Sequence, residues 1–380
     1  SKAVRQPDGT FRVFGQKIFI TFGEHDMAQN IVHLVLARTP EAPEGIKGIS
    51  LFFVPKYMVG PDGALGERND VWCQSIEHKL GIKASPTAVL IYGDGKVKPA
   101  SSPGTAPAPG AGGYLVGEEN RGLEYMFIMM NAARFAVGMQ GVAIAERAYQ
   151  KAAAFARERI QSRAVDGSSG PVAIVNHPDV RRMLLTQKAY TEGSRAFALW
   201  LALKADRADG HPDADERSAA HDVLTLLTPV VKAFITDNGF QTTNLAMQIF
   251  GGHGYIREWG MEQYVRDARI NMIYEGTNTI QSLDLLGRKV LQDNGAKLRK
   301  FGELVTALIE DEGHRDEMAE FINPLAELAG KVEKPPVEIG MKAMRNPDEA
   351  GAAAVDYLRV AGHLVLSYFW ARMASIALQK

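Results

Sequence analysis

The sequence has few of the residues on which covalently braced and membrane-spanning folds depend. Cys73 is the one cysteine in 380 residues, so no intramolecular disulfide can form and a disulfide-framed secreted protein is excluded. No uncharged apolar run reaches the roughly 18 residues that a membrane-spanning helix needs, so the sequence predicts none. Neither sign of charge is in excess, with 43 basic and 44 acidic side chains, which argues against a nucleic-acid-binding protein.

Familiar catalytic motifs are missing as well. The nine histidines are scattered, with neither an HExxH motif nor a cysteine cluster to bind a metal. Glu24, His25 and Asp26 are adjacent, but a solvated turn explains them better than a set of metal ligands. The sequence contains no GxSxG elbow, no P-loop and no GxGxxG between a strand and a helix. Kinase, P-loop and nicotinamide-dinucleotide functions therefore lack their phosphate-binding loops.

What is present is an ordinary globular composition, 46% hydrophobic and 23% charged. The length indicates two or three domains, at about 150 residues for each domain. The sequence begins at Ser1, almost directly in a strand-like segment, without Met and without a signal region. We therefore expect that the N-terminal part of a longer protein is missing.

Residues 1–93 have the pattern of β-structure. Short β-branched and aromatic runs alternate with turn residues, which predicts a small sandwich or barrel. The runs are Phe11–Phe14, Lys17–Thr21, Ile31–Leu36, Ile49–Val54, Val71–Cys73 and Thr87–Tyr92. Residues 93–113 are rich in Gly, Pro, Ala and Ser, which is typical of a mobile loop. We predict a β domain at residues 1–113 that includes this loop.

Helical periodicity begins near Gly122. Apolar residues recur at helix spacing over 122–160, 177–206 and 217–250. Thr277 or Asn278 can cap a further helix, which would end near Leu291. Four helices are enough for an up-down bundle, so we predict a four-helix domain at residues 114–291.

Residues 292–380 are predicted to form an additional helical extension. Residues 296–312 carry a single apolar stripe, and residues 347–378 form a helix too apolar to remain in water. We expect both to pack on the four-helix domain or on each other, in a structural or oligomeric role. The fold class is therefore α+β: a β-barrel or sandwich domain, then a four-helix bundle and a helical extension.

Two polar motifs interrupt the apolar helices. Residues 248–255, QIFGGHGY, end a long helix in a glycine cluster. Such glycines mostly cap helices, although their exposed N–H groups can also hold phosphate oxygens. Glu275 lies between an apolar run and Gly276, just before a helix. Taken alone, it is as consistent with a helix N-terminal acid as with a base beside a ligand.

Together these motifs resemble the acyl-CoA dehydrogenase family from about Phe11 to Val290. The most specific segments are QIFGGHGY and RDARINMIYEGTNTIQ at 266–281, supported by KIFIT, GIKAS-T, VGEENRGL, ARF and ERIQ. The extension resembles that of a long bacterial subfamily, which includes the 3-methylthiopropanoyl-CoA dehydrogenases. The family fold has an N-terminal helical domain, a middle β domain and a C-terminal four-helix domain. The first of these, with its TEPxxG(S/T)D flavin loop, would lie upstream of Ser1.

The resemblance implies a reaction. Glu275 matches the base that removes the α-proton of an acyl-CoA thioester, while the β-hydrogen leaves as hydride to N5 of FAD and a trans-2-enoyl-CoA forms. A thioester α-proton becomes acidic when the carbonyl accepts hydrogen bonds that strengthen as enolate charge develops. The implied donors are the Glu275 N–H and a ribityl hydroxyl.

The resemblance also implies contacts with cofactor and substrate. Positions matching FAD-binding residues are Phe19, Thr21, Arg159, Gln161, Gln248, Gly251, Gly252, Thr277 and Thr279. Positions matching substrate contacts are Asn131, Arg134, Tyr274 and Gly276. Phe19 and Thr21 would lie beside the isoalloxazine, and the glycines would hold the pyrophosphate of a partner subunit's FAD. Ser162 and Arg163 replace the family's aromatic and Gly after Gln161, which puts the adenosine contact in doubt.

The expected partners are electron-transfer flavoprotein as acceptor and further copies of the chain, in a homodimer or homotetramer, with neither nucleic acid nor membrane. The expected location is the bacterial cytoplasm. An acyl-CoA oxidase would use the same Glu275 with O₂ as acceptor, and a non-catalytic helical interaction protein on the same fold is a third reading. The subfamily resemblance favours 3-methylthiopropanoyl-CoA or another short acyl-CoA as substrate.

Overall fold

The computed structural model describes residues 1–97 and 109–379. The chain divides into two compact units, Ser1–Asn131 and Ala132–Lys380. The first is built on antiparallel strands and the second is helical, in agreement with the α+β class predicted from the sequence. The division into three domains at residues 113 and 291 stays a prediction.

The described residues of the first unit form nine strands. They are β1 (Lys2–Arg5), β2 (Phe11–Thr21), β3 (Val32–Ala37), β4 (Ser50–Pro55), β5 (Tyr57–Val59), β6 (Leu65–Arg68), β7 (Val71–Ile76), β8 (Thr87–Tyr92) and β9 (Ala111–Val116). Seven form one sheet in the order β3-β4-β9-β2-β8-β7, with β1 also pairing with β2, and β5 and β6 form a separate hairpin. Within the described residues the path of the sheet does not close, so the barrel alternative is not observed.

Strand β2 joins the two parts of this sheet. The Phe11 end pairs with β1 and β9, and the stretch from Gly15 onward pairs with β8. Gly15 lies at the change of partner with φ +126°, a conformation that glycine adopts readily. Phe11 and Phe52 are fully buried, with ring centroids 4.9 Å apart, and they centre the core of the unit.

The glycine-rich segment differs from its prediction. Most of the loop predicted at 93–113 falls outside the described residues, which leave out 98–108. Its last residues, from Ala111, belong to β9, which pairs with β2 and β4 in the middle of the sheet. Ala111, Gly112 and Gly113 are buried there. This strand was not recognised from the sequence because its first residues are small and have little β propensity. Such residues are tolerated in a strand that is buried between neighbouring strands.

The second unit consists of helices with one small hairpin, β10 (Ile160–Arg163) and β11 (Pro171–Ala173). The long helices are α1 (Gly122–Glu158, which begins in the first unit), α2 (Pro178–Gly210), α3 (Ala214–Ile249) and α10 (Asp348–Leu378). The shorter ones are α4 (Gly252–Tyr255), α5 (Met261–Arg269), α6 (Asn278–Leu283), α7 (Ala296–Glu312), α8 (Ala319–Glu333) and α9 (Pro335–Ala343). A π-helix, Asp284–Leu291, continues α6. The predicted helices are confirmed to within a few residues, whereas α8 and α9 were not predicted.

Small residues allow the long helices to approach closely. A Cβ on Gly138 would lie 2.4 Å from Val231 Cγ1, and one on Gly239 would lie 2.8 Å from the Gly141 carbonyl oxygen. Both distances are below any real Cβ contact, so α1 and α3 are in backbone contact that only glycine permits. Thr277, one of the two predicted cap residues, accepts a hydrogen bond from the Ile280 N–H of α6. Asp213 accepts hydrogen bonds from the first turn of α3, a cap that was not predicted.

The extension packs as predicted. Phe301 and Val305 of α7 and Leu358 and Val365 of α10 are buried in one apolar core with residues of α2 and α3 such as Phe197. Among the described residues, two helices, α1 and α3, are long and apolar enough to cross a membrane by length and composition. The relevant window of α3 is 72% buried, as in a core helix, and that of α1 is 28% buried. The absence of a membrane partner stays a prediction.

Candidate active site

The loop between α5 and α6 holds Glu275 in a strained conformation. Glu275 has φ +56° and Gly276 has φ +87°, two successive residues in the left-handed region. For a residue other than glycine this costs of order 1–3 kcal/mol, and such strain clusters at functional sites. Among the described residues the Glu275 N–H donates to no acceptor. The half-buried Glu275 therefore presents a carboxylate and a free N–H donor from one residue.

A buried ion pair lies against this loop. The Arg134 guanidinium is paired with the Asp284 carboxylate at 3.3 Å, and both side chains are less than one-tenth exposed. A Cβ on Gly276 would lie 3.9 Å from an Arg134 nitrogen and 2.7 Å from Gln281 Nε2. The Gln281 amide also donates to the Gly276 carbonyl oxygen at 3.3 Å. Gly276 is thus favoured by its positive φ, and a Cβ there would also force the Gln281 amide to shift.

Tyr274 directly precedes Glu275, and the Tyr274 side chain is held in place by its hydroxyl. The hydroxyl donates to the Gln140 side chain and lies 3.2 Å from Asn271 Oδ1. Burial raises the pKa of the Tyr274 hydroxyl, so this group stays protonated over the physiological range. The structure thus places Tyr274, Gly276 and Arg134 close to Glu275, and their role as substrate contacts stays a prediction. Asn131 is exposed at the end of the first unit.

A polar cluster that sequence reasoning missed underlies the start of α6. Lys232 of α3 is fully buried, and its Nζ donates to Asn278 Oδ1 at 2.8 Å. The Asn278 amide donates in turn to Asp237 Oδ1 at 2.6 Å and to Thr236 Oγ1 at 3.0 Å. Burial lowers the pKa of Lys232 to about 8 and raises the pKa of Asp237. The signal was a lysine inside the apolar run PVVKAFI.

A cavity of about 620 Å³ in the second unit is lined by five of the predicted FAD-binding residues. They are Arg159, Gln161, Gln248, Gly251 and Gly252. His177 and Ser162 also line it and were not predicted. His177 lies with its Nε2 2.8 Å from the Gln161 carbonyl oxygen, so it supports strand β10, which carries Gln161 and directly follows Arg159.

The glycines of this cavity suit close approach by a ligand. Gly251 has φ +56° and ψ −137°, a combination that only glycine adopts without strain. A Cβ on Gly252 would meet no atom within 4 Å, so nothing inside the protein requires glycine there. Open space beside Gly252, together with the exposed Arg159 guanidinium, is what an anionic ligand needs.

Thr277 and Thr279 line a separate cavity, of about 340 Å³. Asp237, Arg269 and Arg359 line it as well. Arg359 belongs to α10, so the extension contributes a charged side chain next to predicted cofactor residues. Position along the chain gave no indication of this contribution. A larger cavity, of about 1100 Å³ between the π-helix, α7 and α9, contains none of the predicted site residues.

Comparison with known proteins decides which family these sites belong to. The family model described as acyl-CoA dehydrogenase, C-terminal domain, matches residues 120–291. A second, described as acetyl-CoA dehydrogenase C-terminal like, matches residues 301–380. The chain belongs to the acyl-CoA dehydrogenase family. The resemblance drawn from the sequence motifs is therefore confirmed.

Relatives within this family are similar along nearly the whole chain. The chain is 49% identical to a 3-methylmercaptopropionyl-CoA dehydrogenase of Ruegeria pomeroyi, over 96% of this chain and 60% of the relative. It is 34% identical to the broad-specificity linear acyl-CoA dehydrogenase FadE5 of Mycobacterium tuberculosis, over 99% of this chain and 62% of the relative. The chain thus spans about three fifths of the length of these two relatives.

Solved structures share the fold. Caenorhabditis elegans ACDH-11, in complex with C11-CoA, matches with a TM-score of 0.77 at 22% identity, over 97% of this chain and 57% of that one. An acyl-CoA dehydrogenase from Bacillus anthracis, complexed with FAD, matches with a TM-score of 0.74 at 22% identity, over 99% of this chain and 60% of that one. At this identity the likeness establishes the fold alone.

The two predicted flavin contacts in the first unit lie on β2. Phe19 has φ +60° and a side chain 67% exposed, at an irregularity in the pairing of β2 with β8. Thr21 is exposed at the end of the same strand. A large aromatic that a bulge turns toward solvent gains nothing for the core, which is typical of a residue with a binding role.

Proposed function

We propose that this chain forms part of an FAD-dependent acyl-CoA dehydrogenase that converts an acyl-CoA thioester to the trans-2-enoyl-CoA. The observation that supports this most directly is the conformation of Glu275. One strained residue offers a base and, from its own backbone, an N–H donor without an acceptor. These are the two groups that removal of a proton next to a thioester carbonyl requires.

The proposed mechanism assigns a task to each group of the loop. The thioester carbonyl accepts a hydrogen bond from the Glu275 N–H, which stabilises the charge that develops on the carbonyl oxygen. The Glu275 carboxylate takes the α-proton, and the electron pair of that C–H bond forms the new double bond. FAD, when bound, supplies the acceptor for the hydride that leaves the β-carbon. Because Gly276 has no Cβ, the loop can stay packed against the Gln281 amide while Glu275 faces the substrate.

The described residues fit the cofactor. Arg159, Gln161 and Gln248 would hold the phosphates or adenosine in the cavity that Gly251 and Gly252 leave open. Phe19 and Thr21 would contact the isoalloxazine. Thr277 and Thr279 would contact the adenine half, in a cavity that also contains two arginines.

We propose 3-methylthiopropanoyl-CoA or another short acyl-CoA as the substrate. The 49% identical relative is named for 3-methylmercaptopropionyl-CoA, which is the same thioester under another name. Electron-transfer flavoprotein is the proposed acceptor and a homodimer or homotetramer the proposed assembly. In support, one structural match of 27% identity is titled an electron-transferring flavoprotein of Acidaminococcus fermentans.

The experiment is anaerobic reduction of the FAD-loaded full-length protein by a panel of acyl-CoAs. Loss of flavin absorbance with short or sulfur-containing acyl-CoAs, and formation of the enoyl-CoA, is the expected result. Reduced enzyme that reoxidises rapidly in air would identify an oxidase instead. A protein that binds no flavin would support the reading as a non-catalytic interaction protein.

A further inference from the structure

Lys232 is buried at a high energetic cost. It is 0% exposed in the middle of α3, and among the described residues no carboxylate oxygen lies within ion-pair distance of its Nζ. Its Nζ donates a hydrogen bond to the neutral amide oxygen of Asn278. Burying an ammonium group without a charged partner disfavours the folded state, and an apolar side chain of similar volume is usually more stable there. Stability alone does not explain a lysine at this position.

The charges that face Lys232 come from three parts of the second unit. Asp237 lies on the same helix, Arg134 on α1 and Glu275 on the loop before α6. Arg134 is already paired with Asp284. Asp237 is bonded to the Asn278 amide nitrogen at 2.6 Å. The amide of Asn278 is therefore the group through which Lys232 connects to the loop.

Lys232 and Asp237 together determine how this amide is oriented. An ammonium can only donate a hydrogen bond and a carboxylate can only accept one. Lys232 therefore directs Oδ1 of Asn278 toward itself, while Asp237 takes the amide nitrogen. The amide also donates to the Ala233 carbonyl oxygen at 3.2 Å. Asn278 is thus fixed to one turn of α3 at both ends of its side chain.

Asn278 is the first residue of α6 and lies three positions after Glu275. The intervening Gly276 has a positive φ, as has Glu275 itself. Left-handed residues persist only where the surroundings over-determine them. Fixing residue 278 fixes the end of this strained segment and so the direction of the Glu275 N–H and carboxylate.

We propose that Lys232 is a positioning residue for the Glu275 loop, acting through the side-chain amide of Asn278. This inference rests on the proposed function, because it concerns the residue assigned as the base. Its contribution is geometric: misplacing a reacting group by about 1 Å can cost on the order of 100-fold in rate.

The test compares Lys232→Met, Asn278→Leu and the double variant in the FAD-loaded protein. Thr228→Val is the control, since Thr228 lies one turn earlier on α3 and bonds only to the Leu224 carbonyl oxygen of its own helix. The measurements are the flavin reduction rate at saturating butyryl-CoA, the apparent Kd for butyryl-CoA, and the melting temperature.

We expect Lys232→Met to reduce the rate by about tenfold or more, with an apparent Kd within about twofold of wild type and a melting temperature unchanged or raised. Asn278→Leu should lose about as much rate, and the double variant should be no slower than the slower single variant, because both act on one path. The Thr228→Val rate should equal that of wild type. A merely structural lysine would lower stability and rate together.

Three results would overturn the inference: a wild-type rate in Lys232→Met, rate losses that multiply in the double variant, or a fall in melting temperature that accompanies the rate loss. If Lys232→Met does not fold, the lysine is structural and the inference is likewise overturned. A wild-type protein that no acyl-CoA reduces would instead refute the proposed function, and this inference with it. A wild type that is reduced alongside an unaffected Lys232→Met would refute this inference alone.

Discussion

Arg134 and Asp284 form an ion pair of 3.3 Å in which both side chains are buried, and the guanidinium lies within van der Waals reach of any Cβ at Gly276. Replacing Asp284 with Ala would remove the buried carboxylate with which the Arg134 guanidinium is paired. We predict a loss of about 3–5 kcal/mol in the free energy of unfolding, measured by urea denaturation. Asp356→Ala removes an exposed carboxylate 3.9 Å from Arg359 and should change the free energy of unfolding little. Equal effects of the two variants would contradict the assigned role of the pair.

Glu275→Gln tests the proposed role of Glu275 as the base. The amide has the same shape as the carboxylate but accepts no proton, so FAD and acyl-CoA binding should be retained while flavin reduction falls by about 10²–10⁴-fold. Anaerobic stopped-flow absorbance measures the rate, and flavin content and acyl-CoA titration measure binding. Glu258→Gln, an exposed glutamate in the segment before α5, is the control and should keep its rate. Retention of more than a few per cent of the wild-type rate would exclude Glu275 as the base.

The part of the site that could be predicted from sequence is the part carried by contiguous motifs. Glu275 and Gly276 lie in one such segment, and the long helices follow from apolar periodicity that runs over many turns. The structure places Arg159 and Gln248 at one cavity although the chain separates them by almost ninety positions.

The remainder depends on which elements meet. Lys232 reaches Asn278 only because α3 packs against the start of α6. Arg359 lines a cavity only because α10 folds back beside α6. Strand β9 is glycine-rich, so its pairing with β2 and β4 could not be inferred from side-chain pattern. Tertiary packing determines the surroundings of Lys232, the position of Arg359 and the pairing of β9. A local sequence pattern carries no information on such packing.

The pH dependence of stability should report the buried Lys232. Its pKa in the folded protein is about 8, against 10.5 for an ordinary lysine. Between these values the unfolded chain binds more protons, so the stability of the folded state should rise as the pH is raised from about 8 to about 10.5. We expect a gain on the order of 2–3 kcal/mol in wild type relative to Lys232→Met, from urea denaturation across this range. Parallel pH curves for the two proteins would show that burial leaves this lysine unperturbed.

Gly252→Val tests the cofactor cavity without disturbing the core. A side chain at residue 252 meets no protein atom within 4 Å, so the melting temperature should stay within about 2 °C of wild type. The same side chain would occupy space assigned to FAD, so flavin content after purification should fall sharply. Gly351 is an exposed position in α10 with equally open surroundings, so Gly351→Val should keep the wild-type melting temperature and flavin content. Full flavin content in Gly252→Val would show that FAD does not use this cavity.

The extension should be indispensable for folding. Phe301 of α7 and Leu358 and Phe369 of α10 are buried in the same core as Phe197 of α2, so removing the extension would expose that core to water. Six side chains of the extension are buried in this core: Phe301, Val305, Leu358, Leu364, Val365 and Phe369. Their burial contributes on the order of 10 kcal/mol before entropy is subtracted. We therefore predict that a chain truncated after residue 291 aggregates, as seen by light scattering, rather than showing altered kinetics alone.

A single substitution tests the same contact without shortening the chain. A Cβ on Gly362 of α10 would lie 2.1 Å from Cδ2 of Phe234 on α3, closer than any real contact. Gly362→Val would therefore force α10 away from α3 and should lower the free energy of unfolding by about 1–3 kcal/mol or more. Gly330→Val on α8, where a Cβ meets nothing within 4 Å, is the matched control for adding a β-branched side chain to a helix. A soluble, fully active truncated chain, or a Gly362→Val protein as stable as this control, would show that the extension does not complete the core of the second unit.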